Sequence, residues 1–80
     1  VSNGEFEIIE AEVIETSELI NKELKNSNLP DEFRIGAVLR DDTVIIPRSD
    51  FIFKKDDRVV FIVKKDTIPF VENIFRLSSV

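Results

Sequence analysis

The chain has 80 residues, of which 42% are hydrophobic, and its 16 acidic and 11 basic side chains give a net charge of −5. This length fits one small domain, and the negative charge disfavours both nucleic-acid binding and electrostatic attachment to anionic lipid, which require basic surfaces. The chain has no cysteine, so disulfides are excluded. The longest uninterrupted apolar run, Val59 to Val63, is too short to cross a bilayer, and direct membrane insertion is not expected.

The beginning of the chain predicts a long strand. Residues 1–4 are expected to form a disordered lead-in, and residues 5–80 a single domain. Residues 5–16 alternate between acidic and apolar side chains, as a strand with one buried face does. The alternation shifts by one position, which indicates a bulge or a bend near Ile8–Ile9.

The pattern then changes to one that is typical of a helix. Ser17 is a favourable N-cap, and Pro30 prevents the helix from resuming after the polar residues 26–28. The predicted helix spans about residues 17–26. Its apolar face consists of Leu19, Ile20 and Leu24.

Residues 33–48 predict a β-hairpin. Asp41-Asp42 is the predicted turn, because aspartate tolerates the left-handed backbone of tight hairpins, and residues 43–46 form the partner strand. Pro47 cannot donate a hydrogen bond and so belongs at a strand end or sheet edge. The regular alternation of the first strand places Phe33, Ile35, Ala37 and Leu39 on one face, and Arg34, Gly36, Val38 and Arg40 on the other.

The last third of the chain predicts a central strand followed by a helix. Residues 58–64 are the most apolar segment, which suggests a central strand buried on both faces. A helix is expected to begin at Asp66 or Thr67, with Pro69 in its first turn. Its apolar stripe consists of Phe70, Val71, Ile74 and Phe75. The predicted order is β-α-β-β-β-α, an α+β fold with a small, mostly antiparallel sheet and helices packed on one face.

Catalysis is not expected. The chain lacks His, Cys, Tyr and Trp, which removes the common general bases and nucleophiles. The pairs Asp41/Asp42 and Asp56/Asp57 lie in predicted turns, where aspartate serves local hydrogen bonding, and no metal site is expected. With two glycines in the chain, a glycine-rich phosphate loop is excluded, so no cofactor is expected in this domain.

Three arginines and one apolar stripe each allow two interpretations. Arg34, Arg40 and Arg48 suit bidentate binding of phosphate or carboxylate, although they can equally lie on a solvated face and pair with nearby acidic residues. In the predicted strand, Arg34 and Arg40 stand on the same side. The stripe from Phe70 to Phe75 is interpreted as core, with self-association as the alternative.

An ordered set of short motifs resembles the C-terminal lobe of RCK (regulator of potassium conductance) proteins, the TrkA C-terminal domain family. The motifs are V-I-E-x-S (13–17), N-L-P (28–30), I-x-A-V-L-R-D (35–41), V-I-I-P-R-x-D (44–50) and D-x-V-V (57–60). The tail F-V-E-N-I-F-R (70–76) is similar to the ending of the Trk-type members. Two departures concern the turns, since the family often has Gly where this chain has Asp42 and Asp56.

This resemblance implies a regulatory, dimerising lobe of a potassium-uptake regulator, a fragment of a longer cytoplasmic protein. Rossmann domains outside this chain would carry NAD or ATP/ADP, and a TrkH-type channel subunit would recruit the protein to the inner face of the membrane. A cyclic dinucleotide, bound at the homodimer interface in some relatives, implies ligand contacts at Arg34, Ile35, Arg40, Ile46, Pro47 and Arg48. The interface itself is expected to involve Val44, Ile46, Phe70, Ile74 and Phe75.

Two alternatives stay open. The lobe can be purely structural, holding dimers together without sensing a ligand, or it can regulate a different ion transporter or antiporter. Ligand saturation would leave a purely structural lobe unchanged, and neighbouring sequence would identify the transporter.

Overall fold

The computed structural model describes residues 5–77, which form one five-stranded antiparallel sheet. The strands are β1 (Phe6–Val13), β2 (Phe33–Arg40), β3 (Thr43–Ile45), β4 (Arg58–Lys64) and β5 (Phe75–Leu77). Their order across the sheet is β3-β2-β4-β1-β5. The helical segments are two 3-10 turns, Leu24–Asn26 and Lys65–Thr67, and the short helix α1, Ile68–Val71. The α+β class is therefore confirmed, whereas the lead-in expected at residues 1–4 lies outside the described residues.

Strand β4 is central, as predicted, but it is not buried on both faces. Val59, Phe61 and Val63 point into the core and are fully buried. Ile62 points to the opposite face and keeps 46% of its surface exposed. No described segment covers this second face, which we call the open face of the sheet. No helix within residues 5–77 has the length and apolar character needed to cross a membrane.

Three phenylalanines from three strands form the centre of the core. The rings of Phe33 and Phe61 lie 4.4 Å apart between centres, and Phe75 lies 5.8 Å and 5.5 Å from them. Offset or tilted aromatic pairs at these distances contribute beyond their buried area. Phe75 thus belongs to β5 and the core rather than to the predicted terminal helix, which ends at Val71.

The helix predicted over residues 17–26 is wrong. The Ser17 side chain accepts a hydrogen bond from the Leu19 N–H at 3.1 Å, but Asn21 adopts a left-handed φ of 68° and ends any helix. The N–H groups of Asn21, Leu24 and Lys25 then donate to carbonyls of Phe53, Phe51 and Ser49. This segment therefore satisfies its backbone by bonding to residues 49–53, and that tertiary pairing overrides the helical periodicity.

The bulge predicted near Ile8–Ile9 is also wrong, because β1 pairs with β4 in unbroken register from Phe6 to Glu12. The irregularity lies in β2, between Ile35 and Ala37. Gly36 is the extra residue, and it reverses the alternation that follows. Phe33, Ile35, Val38 and Arg40 consequently lie on the core face. Arg34 lies on the open face, so the prediction that Arg34 and Arg40 share a side is wrong.

The aspartate-rich turns have the predicted backbone. Asp41 and Asp42 both have positive φ, 48° and 65°, as a two-residue type I′ hairpin requires. Asp56, in the turn before β4, has a φ of 71°. In the sequence resemblance described above, other family members often have glycine in these two turns.

Candidate functional site

A groove of about 370 Å³ lies beside the first half of β2. Strand β3 pairs only with residues 38–40 of β2, so it does not cover residues 33–35. The segment 24–30 forms the opposite wall. The lining residues are Leu24, Lys25, Ser27, Asn28, Leu29, Pro30, Phe33, Arg34 and Ile35.

Local hydrogen bonds shape the wall formed by residues 24–30. The Ser27 hydroxyl donates to the Leu24 carbonyl at 2.7 Å and closes the 3-10 turn. Asn28 takes a left-handed φ of 56°, which reverses the chain, and the Phe33 N–H donates to the Pro30 carbonyl at 3.1 Å. Leu24 and Leu29 pack against the core from this segment, so the wall is supported from behind.

The groove combines an apolar lining with two cationic side chains. Lys25 and Arg34 lie at its border, and both are exposed. Arg34 donates one hydrogen bond to its neighbour's carbonyl, that of Phe33, at 3.2 Å. Lys25 is 3.9 Å from the partly exposed Glu23 carboxylate, a weak surface pair. An apolar surface edged by cations suits a ligand that carries both a flat apolar part and anionic oxygens.

The Arg40 side chain has a structural role. Its guanidinium binds the Asp57 carboxylate through two hydrogen bonds of 2.8 and 2.7 Å, and it donates a third bond to the Ile52 carbonyl at 2.9 Å. Asp57 has a side chain that is only 1% exposed, and it also accepts the Lys54 N–H at 2.9 Å. The Arg40 guanidinium carbon lies 4.9 Å from the Phe51 ring centre. Arg40 therefore fastens the segment 51–57 to β2.

The hydrogen bonds that Arg40 donates to the Asp57 carboxylate raise the pKa of Arg40 above its usual range, although burial partly opposes the shift. Asp57 and Asp41 add an attractive charge interaction. Because the folded-state pKa is raised, the resulting stabilisation is fully present below the ordinary arginine pKa and is lost only above it. The Arg40 guanidinium therefore stays charged throughout neutral and moderately alkaline conditions.

The remaining predicted ligand residues lie along the sheet edge. Ile46, Pro47 and Arg48 follow β3, and Ile46 and Arg48 are exposed. Of the predicted ligand residues, Arg34 and Ile35 therefore line the groove, and Arg40 binds Asp57. Arg48 lies in the segment that follows the edge strand β3. Ile74 and Phe75, suggested for the dimer interface, are buried in the core, as the main interpretation of the stripe predicted, whereas Phe70, Val44 and Ile46 are exposed.

Two smaller cavities lie elsewhere. One of about 300 Å³ lies beside the ends of β1 and β5, among the charged residues Glu12, Glu15, Lys55, Asp56 and Arg76. Another of about 190 Å³ adjoins the Arg40–Asp57 pair. Within residues 5–77 no cluster of three or more His, Cys, Asp or Glu side chains could hold a metal ion.

Sequence reasoning missed most of the groove. Lys25, Leu29 and Pro30 were assigned to a helix end and a loop, yet they form its outer wall. The N-L-P motif was the available signal, because a motif in a segment without regular structure is more often functional than one in the core.

These features define a small antiparallel-sheet lobe with an edge groove, of the kind found in RCK domains. The TrkA-C domain family matches residues 8–76, and the chain belongs to that family. A solved structure described as "Structure of RCK domain with cda" has the same fold, with a TM-score of 0.72 over 86% of this chain and 97% of that one, at 17% identity.

Similar full-length proteins belong to potassium-uptake systems. The chain is 42% identical over 95% of its length to the "Trk system potassium uptake protein TrkA" of Azorhizobium caulinodans. It is 38% identical over 80% of its length to a homologue from Archaeoglobus fulgidus, and 34% identical over 95% to one from Methanosarcina mazei. The chain covers only 15–17% of the length of these three relatives.

Proposed function

We propose that this chain is the regulatory and dimerisation lobe of a Trk-type potassium-uptake regulator and that its edge groove binds a small anionic ligand. The parent protein acts on the cytoplasmic side of the membrane with a TrkH-type channel subunit. Its Rossmann domains, outside this chain, bind NAD or ATP/ADP. The family membership and the potassium-uptake relatives support the transport assignment.

The observation that carries the ligand-binding part is the composition of the groove. Apolar side chains of Leu29, Phe33 and Ile35 line a space of about 370 Å³, and Lys25 and Arg34 supply two cations beside it. This volume lies within the range of small-molecule sites, about 300–1,000 Å³. A nucleotide has the matching chemistry, because its base is flat and apolar and its phosphates are anionic.

A cyclic dinucleotide is the first ligand to test, with cyclic di-AMP as the probe. The RCK domain of the same fold is described with a molecule named cda, which supports small-molecule binding by this architecture. Ligand binding would favour one arrangement of the paired lobes, and the attached domains would transmit that preference to the channel. No catalytic step is required of this lobe.

Calorimetric titration with cyclic di-AMP, then ATP, ADP and NAD, tests the proposal. Saturable binding of one ligand per two chains of 9.2 kDa is expected for at least one of them. Arg34→Ala should weaken that binding by about tenfold or more, since it removes a charge-assisted contact. Arg76→Ala is the matched control, because Arg76 is also an exposed arginine and is not among the residues that line the groove.

Arg48→Ala tests whether Arg48, which was also predicted to contact the ligand, contributes to binding. Unchanged affinity in this variant would remove Arg48 from the site. If none of the four ligands binds a well-folded dimer, the ligand-sensing part is refuted and the purely structural lobe is favoured.

A further inference from the structure

The open face of the sheet carries a band of apolar side chains that crosses four strands diagonally. The register between the strands pairs these side chains in rows, and each row lies one strand further across the sheet than the row before it. The three rows are Val44 with Leu39, Ala37 with Val60, and Ile62 with Ile8. We call these six residues the diagonal band. Phe6 continues it at the β1 end.

The diagonal band is exposed at both of its ends. Val44 keeps 65% of its surface exposed at one end, and Ile8 keeps 75% at the other. Ile62 and Phe6 keep 46% and 45%. A contiguous apolar patch of this kind on a protein surface marks an interaction site.

The charges on the β1–β5 side of the diagonal band are compensated. Glu10 forms an ion pair with Arg58. Glu12 lies directly opposite Arg76 in the register, as a favourable cross-strand pair. This side of the band therefore presents no net charge to a partner.

The other side of the diagonal band carries two cations. Arg34 lies opposite Ile62, and Lys64 lies opposite Phe6. Within residues 5–77 neither cation forms an ion pair with a carboxylate. Although the chain has a net charge of −5, this margin of the open face is positive and complements acidic side chains.

We infer that an amphipathic helix of the parent protein, outside this chain, docks on the diagonal band with acidic side chains facing Arg34 and Lys64. The inference rests on the parent regulator proposed above, and it names the surface through which the lobe contacts the rest of that protein. The chain covers only 15–17% of the length of the three relatives, so most of a parent of that size lies outside it.

The oblique path of the band favours a helix over a second sheet. From Val44 to Phe6 the band runs roughly 20–25 Å, the length of a helix of about 13–16 residues. The apolar stripe of a helix covers a band of this shape and leaves the flanking charges at its sides. A second sheet would cover the whole face and would also bury Arg34, Lys64 and the pair of Glu10 with Arg58, at a high desolvation cost.

Arg34 connects the docking surface with the ligand groove. It lies on the open face opposite Ile62, and it also borders the groove beside Phe33 and Ile35. An anion bound in the groove would compete with the acidic helix for the same guanidinium. Ligand binding and helix docking therefore oppose each other, and each lowers the affinity of the other by the same factor.

Thiol labelling tests the docking, because the chain has no native cysteine. Ile62→Cys places one thiol within the diagonal band. Ile52→Cys is the matched control, because Ile52 is similarly exposed, at 42%, and lies in the segment that Arg40 fastens on the core side of the sheet. The rate of maleimide labelling at each site is measured by mass spectrometry, in the 80-residue chain and in the full-length parent protein.

Ile62→Cys should be labelled about tenfold more slowly in the parent than in the 80-residue chain, as a docked population of about 90% requires. Ile52→Cys should be labelled at the same rate in both. In the parent, adding Lys64→Glu to Ile62→Cys should restore fast labelling, because it repels the acidic helix, whereas adding Lys54→Glu should not. Saturating cyclic di-AMP should also speed the labelling of Ile62→Cys in the parent. Circular dichroism checks that each variant is folded.

The outcomes separate the inference from the proposed function. Equally fast labelling of Ile62→Cys in the two proteins refutes the docking, and slow labelling in the 80-residue chain itself assigns the band to a second copy and overturns the inference as well. Protection that survives Lys64→Glu refutes the acidic character of the helix. If calorimetry finds no ligand, the ligand-sensing part of the proposed function fails while the comparison of labelling rates stands. If cyclic di-AMP binds and leaves the labelling unchanged, the shared role of Arg34 is refuted.

Discussion

Replacing Arg40 with alanine should destabilise the domain by about 3 kcal/mol, the lower part of the range for breaking a buried ion pair. The Asp57 side chain is only 1% exposed, and after the change its carboxylate would keep a single partner, the Lys54 N–H. The lower part of the range applies because the Arg40 side chain is 27% exposed, which allows water to enter. A domain of this size has a stability of about 4–12 kcal/mol, so the loss is a large fraction of it.

Arg40 and Asp57 differ in burial, so replacing one should cost a different amount of stability from replacing the other. Asp57→Ala should cost about 2 kcal/mol, less than Arg40→Ala, because it leaves a partly exposed cation rather than a buried anion without its partner. The double variant should be less destabilised than the sum of the two single ones by about 1–2 kcal/mol. Arg58 supplies the control, since its ion pair with Glu10 lies on the surface. Arg58→Ala should cost less than about 1 kcal/mol.

Urea unfolding followed by far-ultraviolet circular dichroism is the suitable assay, because the chain has no tryptophan or tyrosine to report by fluorescence. Urea also leaves the ion pair unscreened, unlike guanidinium chloride. An unchanged slope with a lower midpoint would show a pure loss of stability. A loss below about 1 kcal/mol for Arg40→Ala, or additive single effects, would refute the role assigned to this pair.

The other predictions concern backbone positions and use the same assay. Asp42→Gly and Asp56→Gly should each stabilise the fold by about 0.5 kcal/mol, because glycine adopts positive φ without a Cβ clash; a loss in either would contradict the left-handed assignment. Gly36→Ala should be neutral or stabilising by up to about 1 kcal/mol, since an added Cβ would meet only the Val60 carbonyl at an ordinary 3.6 Å; a clear loss would show that the bulge requires glycine.

The parts of the fold that sequence reasoning predicted are those governed by local chemistry. The Asp41-Asp42 turn and the central position of β4 follow from turn propensity and from the density of β-branched residues. Phe70 to Phe75 was identified as mainly core, although a short helix followed by a strand satisfies the same spacing as one longer helix. Residues 17–26 could not be predicted, because their backbone bonds go to a segment about thirty residues further along the chain.

The candidate site was predicted only in part for the same reason. Arg34 and Ile35 were identified, but their separation from Arg40 depends on the bulge at Gly36. Ala37 and Val38 are both apolar, so the hydrophobic pattern of β2 fits either register. Asp57 looked like an ordinary turn residue, and nothing local distinguishes it from Asp56, which is exposed. The difference arises only when β2 brings Arg40 beside it.

The extra residue at Gly36 also bears on how this lobe can diversify. A chain without it would restore simple alternation along β2, and either Phe33 or Val38 would have to leave the core. An insertion or deletion at this position would therefore change which β2 side chains are buried in the core. A substitution at a β2 position beside the groove would not. A lineage can change the charge at position 34, and with it the charge beside the groove, without disturbing the arginine at position 40 that holds the segment 51–57 to β2.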